Sequence, residues 1–277
     1  DLIFNTRMLI PTTDKSLYST SQYQSQLSRA EGERIYLSAG DEYALKFSRF
    51  FRFEDFRPIE DWLNLRAVPL PDLNILDNAA MVNNFDPLQP ERYARVMKEI
   101  ETLDDRLKTS WLKWMNVGLV VDENLSEENG LKRQQILPWG KTRWSPCPEL
   151  APNGNEALQK TKNNLAQATV DDGVLTVVVL ENASANLHDC EFNQNATIRT
   201  VNITSQHIKL QTQTSQAGYL VIADVYYPGW EATINGARVE IVRGDSVFSA
   251  VDSPPGKKDI DLVHRPSPCY TGLAAAG

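Results

Sequence analysis

From Pro90 onward the apolar residues Tyr93, Val96, Met97, Ile100 and Leu103 recur at i, i+3, i+4, i+7 and i+10, which is one face of a helix. Pro90 stands where a helix begins, since its missing N–H costs nothing there, and Leu88 is spaced to staple against Tyr93. Asp104 and Asp105 mark a second helix start, and Leu107, Trp111 and Met115 give that helix a buried stripe. Val117 to Val121 is a continuous apolar run that reads as a buried strand behind it, and Arg34 to Ser38 reads as an earlier strand. Residues 1–125 are therefore expected to form a small mixed α/β domain.

The pattern changes after a polar stretch from Asp122 to Gln135 and a cluster of prolines at 138, 146, 148 and 152. Helix signals nearly vanish, and short β-rich runs separated by turn residues take over. Val174 to Leu180, Ala196 to Ile203 and Ile208 to Thr214 read as strands, and Gly218 to Asp224, apolar on both faces, reads as central in a sheet. Asn235-Gly236 joins Glu231 to Ile234 with Arg238 to Val242, and this dipeptide is a strong hairpin signal because a type I′ turn needs positive φ twice. A second hairpin is expected about Pro254-Pro255-Gly256, between Val247 to Val251 and Asp259 to Val263. The pattern predicts an α+β chain whose residues 126–269 form an antiparallel, jelly-roll-like β-sandwich.

The composition is that of a globular protein: 42% hydrophobic, 23% charged, with 14 Gly and 15 Pro among 277 residues. The 28 basic residues against 36 acidic ones leave a net charge of −8, so a nucleic acid is not an expected partner. The longest apolar runs fall short of the ~20 residues that span a bilayer. With no initiator Met and no leader pattern, Asp1 reads as a cut inside a longer protein. Cys147, Cys190 and Cys269 are far apart and give neither a CxxC pair nor the even count of a disulfide framework, although a bridge from Cys147 to Cys190 stays open. His188, His207 and His264 are too scattered for a zinc site, and His188-Asp189-Cys190 reads as a loop. Asp171-Asp172-Gly173 reads as a turn rather than a calcium site. The sequons at Asn124, Asn182, Asn195 and Asn202 read as chance. No metal and no cofactor is expected.

Gly244-Asp245-Ser246 and Asp261-Leu262-Val263-His264 imitate the GDS and DxxH blocks of a serine-esterase family. A serine nucleophile needs a histidine base, and that histidine needs a carboxylate to orient it. In a regular strand Asp261 points to the face opposite His264, so the third member is missing. The two blocks read as a polar hairpin.

The run Gly218-Tyr219-Leu220-Val221-Ile222-Ala223-Asp224, with Tyr226-Tyr227-Pro228-Gly229-Trp230 and Asn235-Gly236 after it, resembles the exterior domain of the YfhO-like family of bacterial multi-pass membrane proteins. Val247 to Val251, Pro254-Pro255-Gly256 and His264-Arg265-Pro266 fit the same family's aromatic strand, PxG turn and YRP-type motif, with His264 where a Tyr is common. Upstream, Leu70-Pro71-Asp72-Leu73-Asn74, Phe85-Asp86-Pro87-Leu88 and Arg92-Tyr93 are similar to weaker family blocks, with Asn84 where a Gly is common. The resemblance implies that the chain is the large extracytoplasmic domain of an integral membrane, glycosyltransferase-like protein using a lipid-linked sugar in the bacterial cell envelope. It implies that Tyr270 to Gly277 are the first turns of a cut-off transmembrane helix, that the domain's first partner is its own membrane-embedded remainder, and that an envelope glycan or lipid-linked sugar is a second. The catalytic carboxylate of such a protein lies between early membrane helices, so no catalytic residue is expected here. A free-standing carbohydrate- or protein-binding β-sandwich is the alternative.

Two sets of residues are candidates for contact. Pro228-Gly229 fits a type II turn that delivers Trp230 to the next strand, which reads first as a structural motif; the functional alternative is that Tyr226, Tyr227 and Trp230 form a platform for a sugar ring or a membrane interface. Lys46 to Arg57 interleaves Phe47, Phe50, Phe51, Phe53 and Phe56 with Lys46, Arg49, Arg52 and Arg57. As a helix it groups Phe47, Phe50 and Phe51, which is a core pattern if buried and a lipid-headgroup contact with Arg49 and Arg52 if exposed.

Overall fold

A computed structural model of the protein describes residues 15–18, 32–50, 64–83, 89–123, 131–170, 176–181, 186–187 and 196–265. Compactness divides the chain discontinuously. The first unit draws on 1–30, 34–86 and 118–135, and the second on 31–33, 87–117 and 136–277. The helices read from 90 to 115 thus fold within the second unit.

The first unit is built on a four-stranded sheet of β1 (Arg34–Leu37), β2 (Ala80–Met81), β3 (Val117–Glu123) and β4 (Leu131–Gln135), in the order β2-β1-β3-β4. β1 and β2 run parallel, whereas β3 and β4 are antiparallel with Leu119 opposite Gln135. A short helix α1 (Ala39–Tyr43) starts at Ser38, whose Oγ accepts from the Asp41 N–H at 3.0 Å, a standard N-cap. It widens into a π-helical stretch, Ala44–Phe50. Leu45 and Phe50 enter one core with Ile35, Leu37, Leu119, Val121 and Leu131. Arg66 and Asp77, both buried, are joined by two parallel hydrogen bonds of 2.8 Å, the fork geometry that makes a buried ion pair tolerable.

In the second unit, α2 (Glu91–Thr102) buries Val96 and Ile100, with Pro90 at the cap position one residue before the first turn. Helix α3 (Asp105–Trp114) is capped by Asp104, whose carboxylate accepts from the N–H groups of Arg106 and Leu107 at 3.0 Å each. Trp111 and Met115 are buried as the stripe requires, and Leu107 is half-buried. Leu88 lies outside the described residues.

Eleven strands follow: β5 (Thr142–Ser145), β6 (Cys147–Leu150), β7 (Val177–Leu180), β8 (Thr197–Ile203), β9 (His207–Thr214), β10 (Gly218–Val225), β11 (Trp230–Ile234), β12 (Ala237–Val239), β13 (Ile241–Gly244), β14 (Phe248–Ser253) and β15 (Gly256–His264). They make a six-stranded sheet, β5-β10-β14-β13-β7-β6, and a five-stranded sheet, β12-β11-β15-β9-β8. Leu220, Ile222 and Val251 from the first sheet meet Ile208, Leu210, Ala232, Ile260 and Leu262 from the second in one core. The opposite face of the six-stranded sheet is also covered, with Trp114 of α3 against Phe248 at 4.4 Å between ring centroids. Period-two alternation therefore leaves β10 no polar side, and residues 218–223 are all buried. The chain is α+β with a β-rich C-terminal region.

Two expectations are corrected. Helix signals do not vanish after residue 125, because a seventeen-residue helix, α4 (Gly154–Val170), connects β6 to its parallel neighbour β7. Its buried stripe is Ala157, Leu158, Thr161, Leu165 and Thr169, and with threonine and alanine in place of large apolar residues the periodicity is muted. Asn153 caps it, accepting from Asn155 and Glu156 N–H at 3.0 Å each. Second, the strands flanking Pro254-Pro255-Gly256 do not form a hairpin. β14 pairs with β10 and β13, whereas β15 pairs with β11 and β9, so the chain changes sheet there. Consecutive prolines remove the backbone donors a tight hairpin needs, and Val251 and Ile260 reach the shared core from opposite sides. On the bridge left open by the sequence, Cys147 is disulfide-bonded; Cys190 and Cys269 lie outside the described residues.

Gly244-Asp245-Ser246 is the turn from β13 into β14, with positive φ at Asp245 (49°) and Ser246 (69°) and both residues buried. The Asp245 carboxylate accepts from Val179 N–H at 2.9 Å, from Trp114 Nε1 at 3.4 Å and from the Arg143 guanidinium. Burial pushes Arg143 down to about 9, which expresses how far the pair is removed from water. Replacing Asp245 by Ala should lower unfolding free energy by about 3–5 kcal/mol, because an uncompensated guanidinium and an orphaned N–H remain buried. Urea denaturation of the variant measures this.

Candidate functional site

The link from β10 to β11 is Tyr226-Tyr227-Pro228-Gly229 leading into Trp230. Proline presets φ for the first central position, and Gly229 at φ 97° supplies the positive value that the second requires. Neighbouring backbone pins the turn: Tyr226 N–H donates to Val247 C=O at 2.7 Å, and Arg265 N–H donates to Gly229 C=O at 2.6 Å. His264 stands opposite Trp230 in the β11–β15 pairing, with their rings 5.3 Å apart, and its ring also lies 6.4 Å from Tyr227. Its Nε2 faces the Pro228 carbonyl at 3.3 Å.

This arrangement opens a groove of about 480 Å³ lined by the turn, by Glu231 and by residues 238–241. The structure brings Tyr226, Tyr227 and Trp230 together along it. Tyr227 is 57% exposed, and the other two rings are half-buried. The Arg243 guanidinium covers the Tyr226 ring at 4.7 Å, a cation–π contact, and is 3.9 Å from Glu181, which also bridges to Arg92. Burial, with the Arg92 charge acting in the same direction, holds the Arg243 guanidinium below its ordinary value. At the lip, Glu231 accepts from Arg238 Nη2 at 3.0 Å, and its second oxygen is 3.7 Å from Arg265.

Of the basic and aromatic segment from 46 to 57, residues 46–50 are described. Phe50 is 2% exposed and lies in the core of the first unit, with Arg49 5.0 Å over its ring. It therefore does not face a headgroup layer. The exposed aromatics of that helix are Phe47 at 55% and Tyr43 at 65%, 4.9 Å apart. Phe51 and Arg52 lie outside the described residues.

The esterase-like blocks do not assemble. Ser246 is buried in the β13–β14 turn, His264 ends a strand of the other sheet, and Asp261 is bonded to His207 at 2.6 Å instead. Among the described residues no cluster of His, Cys, Asp and Glu could hold a metal ion. His188-Asp189-Cys190, Asp171-Asp172-Gly173 and Phe85 to Leu88 lie outside the described residues.

Sequence reasoning missed Glu231, Arg238 and Arg243. The first two were within reach, since the two-residue turn at Asn235-Gly236 sets Ile234 opposite Ala237 and Thr233 opposite Arg238, which makes Glu231 and Arg238 diagonal neighbours on one face. Arg243 carries no sequence signal, because its approach to Tyr226 depends on β14 pairing with both β10 and β13 in the six-stranded sheet.

The second unit is thus β-rich, with helices beside its strands and an aromatic groove at a turn between its two sheets. Residues 174–275 match the family described as bacterial membrane protein YfhO, so the chain is YfhO-like over the stretch that carries every residue of the groove. No curated protein and no solved structure matches the chain. Among the described residues no helix is long and apolar enough to cross a membrane.

Gly229→Ala should destabilise the domain by about 1–2 kcal/mol, since an L side chain is strained at that φ. A lowered denaturation midpoint with unchanged m-value is the expected result.

Proposed function

We propose that this chain is the extracytoplasmic, non-catalytic domain of a membrane-embedded glycosyltransferase-like protein, and that its aromatic groove holds the acceptor glycan in cell-envelope glycan modification. The observation that carries the reading is the convergence of Tyr226, Tyr227 and Trp230 on one groove with Glu231 at its lip. Aromatic rings offer the apolar faces on which the C–H side of a sugar packs, and a carboxylate accepts its hydroxyl protons. The disulfide at Cys147 supports the exterior location, because such bonds persist in oxidising compartments.

Transfer from a polyprenyl phosphate requires a carboxylate near the acceptor hydroxyl together with cations on the phosphate. Among the described residues that line the groove only Arg238 is a cation, and it is bonded to Glu231. The transfer chemistry is therefore assigned to the membrane-embedded remainder of the protein, this domain's principal partner, and the groove to presenting the acceptor.

Titration of the chain with cell-envelope glycans should give saturable binding that Tyr227→Ala and Trp230→Ala each weaken by about tenfold or more, equivalent to roughly 1.4 kcal/mol. Tyr227→Ala should leave the denaturation midpoint in place, because the ring is exposed. Absence of glycan binding would reduce the domain to a scaffold. For location, Cys147 in intact cells should resist a thiol-reactive maleimide until a reductant is added; ready labelling without reductant contradicts an oxidising compartment.

A further inference from the structure

Resting on that reading of the groove, we infer that Arg92, a residue of α2 outside the groove, sets the groove's affinity by fixing where Arg243 stands. Tyr226 lines the groove and Arg243 does not. The Arg243 guanidinium lies 4.7 Å from the centroid of the Tyr226 ring and braces it from outside. The competing place for this guanidinium is the carboxylate of Glu181, just past the end of β7. It reaches Glu181 only at 3.9 Å, beyond hydrogen-bond length. The reason is that Glu181 is already taken: Arg92 Nη1 donates to both of its oxygens.

Two guanidiniums thus share one carboxylate whose side chain is 13% exposed. Water screens little at such a site, so direct contact settles the sharing. Arg92 holds the contact because its seat is built for it. The first residue of α4 is Gly154, and a Cβ there would stand 2.6 Å from the Arg92 guanidinium, so the glycine is what admits the side chain. From this seat the Arg92 charge opposes that of Arg243 across Glu181 and keeps it over the ring. With Arg92 removed, both Glu181 oxygens are open, and the hydrogen-bonded ion pair they offer outweighs a cation–π contact on a half-buried ring. Arg243 then leaves Tyr226. The ring loses its brace, and ordering it again when a ligand arrives costs affinity. Arg92 and Arg243 are positioning residues, since neither lines the groove.

The test places fluorotyrosine at position 226 of the whole chain and reads its fluorine resonance, alongside titration with cell-envelope glycans. Arg243→Met, which removes the guanidinium outright, gives the reference shift. Arg92→Gln should move the resonance most of the way to that reference, although Arg92 does not touch the ring. Arg92→Lys, which still pairs with Glu181, should leave it near the position of the unaltered chain. Arg243→Met and Arg92→Gln should each weaken glycan binding about three- to tenfold, the cost of ordering one side chain on binding, and Arg92→Lys should restore it. If Arg92→Gln loses its cooperative urea transition, Gly154→Ala takes its place, crowding Arg92 off Glu181 at a position where alanine favours the helix; the same shift and the same weakening are expected. A resonance that stays put when Arg92 is replaced or displaced, or glycan affinity that stays at that of the unaltered chain, overturns the inference while leaving a glycan-binding groove. If the unaltered chain binds no envelope glycan, the glycan reading itself falls and takes this inference with it.

Discussion

The second unit depends on a carboxylate that water cannot reach. Asp245 is fully buried, and its oxygens accept from β7, from α3 and from β5 at once, through Val179, Trp114 and Arg143. A buried carboxylate is stable only when several donors surround it, so these elements must be in place together for the charge to be tolerated. The same residue begins the turn into β14, the strand that pairs with β10 and β13 and sends Val251 into the core between the sheets. The covering helix and the two-sheet core are thereby specified by one electrostatic requirement. A motif that resembles catalytic machinery in sequence is here a structural anchor.

How much of this was legible in the sequence depends on the range over which each feature is determined. Local features were readable: the Asp104 cap, the Asn235-Gly236 turn with both φ values positive, and β10 as a strand apolar on both faces. Features fixed by distant partners were not. The helix α4 hides its periodicity because its inner face is partly Ala and Thr, which suffice where Ala157 packs closely against Val179 and Ala151. The Pro254-Pro255-Gly256 turn reads as a hairpin in sequence because turn chemistry alone does not say whether the next strand returns to the same sheet. Here both long sides of β14 are already taken, which leaves β15 to the other sheet.

The candidate site shows the same division. Its aromatic half lies in five consecutive residues, and a proline and a glycine with fixed conformational demands announce it. Its polar half was not announced. Glu231 and Arg238 come together only through the hairpin register, and Arg243 reaches the Tyr226 ring from β13, which lies across β14 from β10 in the six-stranded sheet. The aromatic segment of the first unit divides in the same way over its described residues: its sequence interleaves basic and apolar residues, and the helix turns Phe50 inward and leaves Phe47 outside.

The placement of β15 carries a mechanical implication. It is flanked on both sides, by β11 through Trp230 to Ile234 and by β9 along eight paired residues from His207 to Thr214. Tension arriving along the chain from beyond Arg265 would therefore load two hydrogen-bonded ladders in shear rather than peel a lone edge strand. A pull from that direction is resisted by the whole five-stranded sheet, and the groove, which borrows its backbone clamp from Arg265 and its ring contact from His264, sits where such a pull first enters the fold.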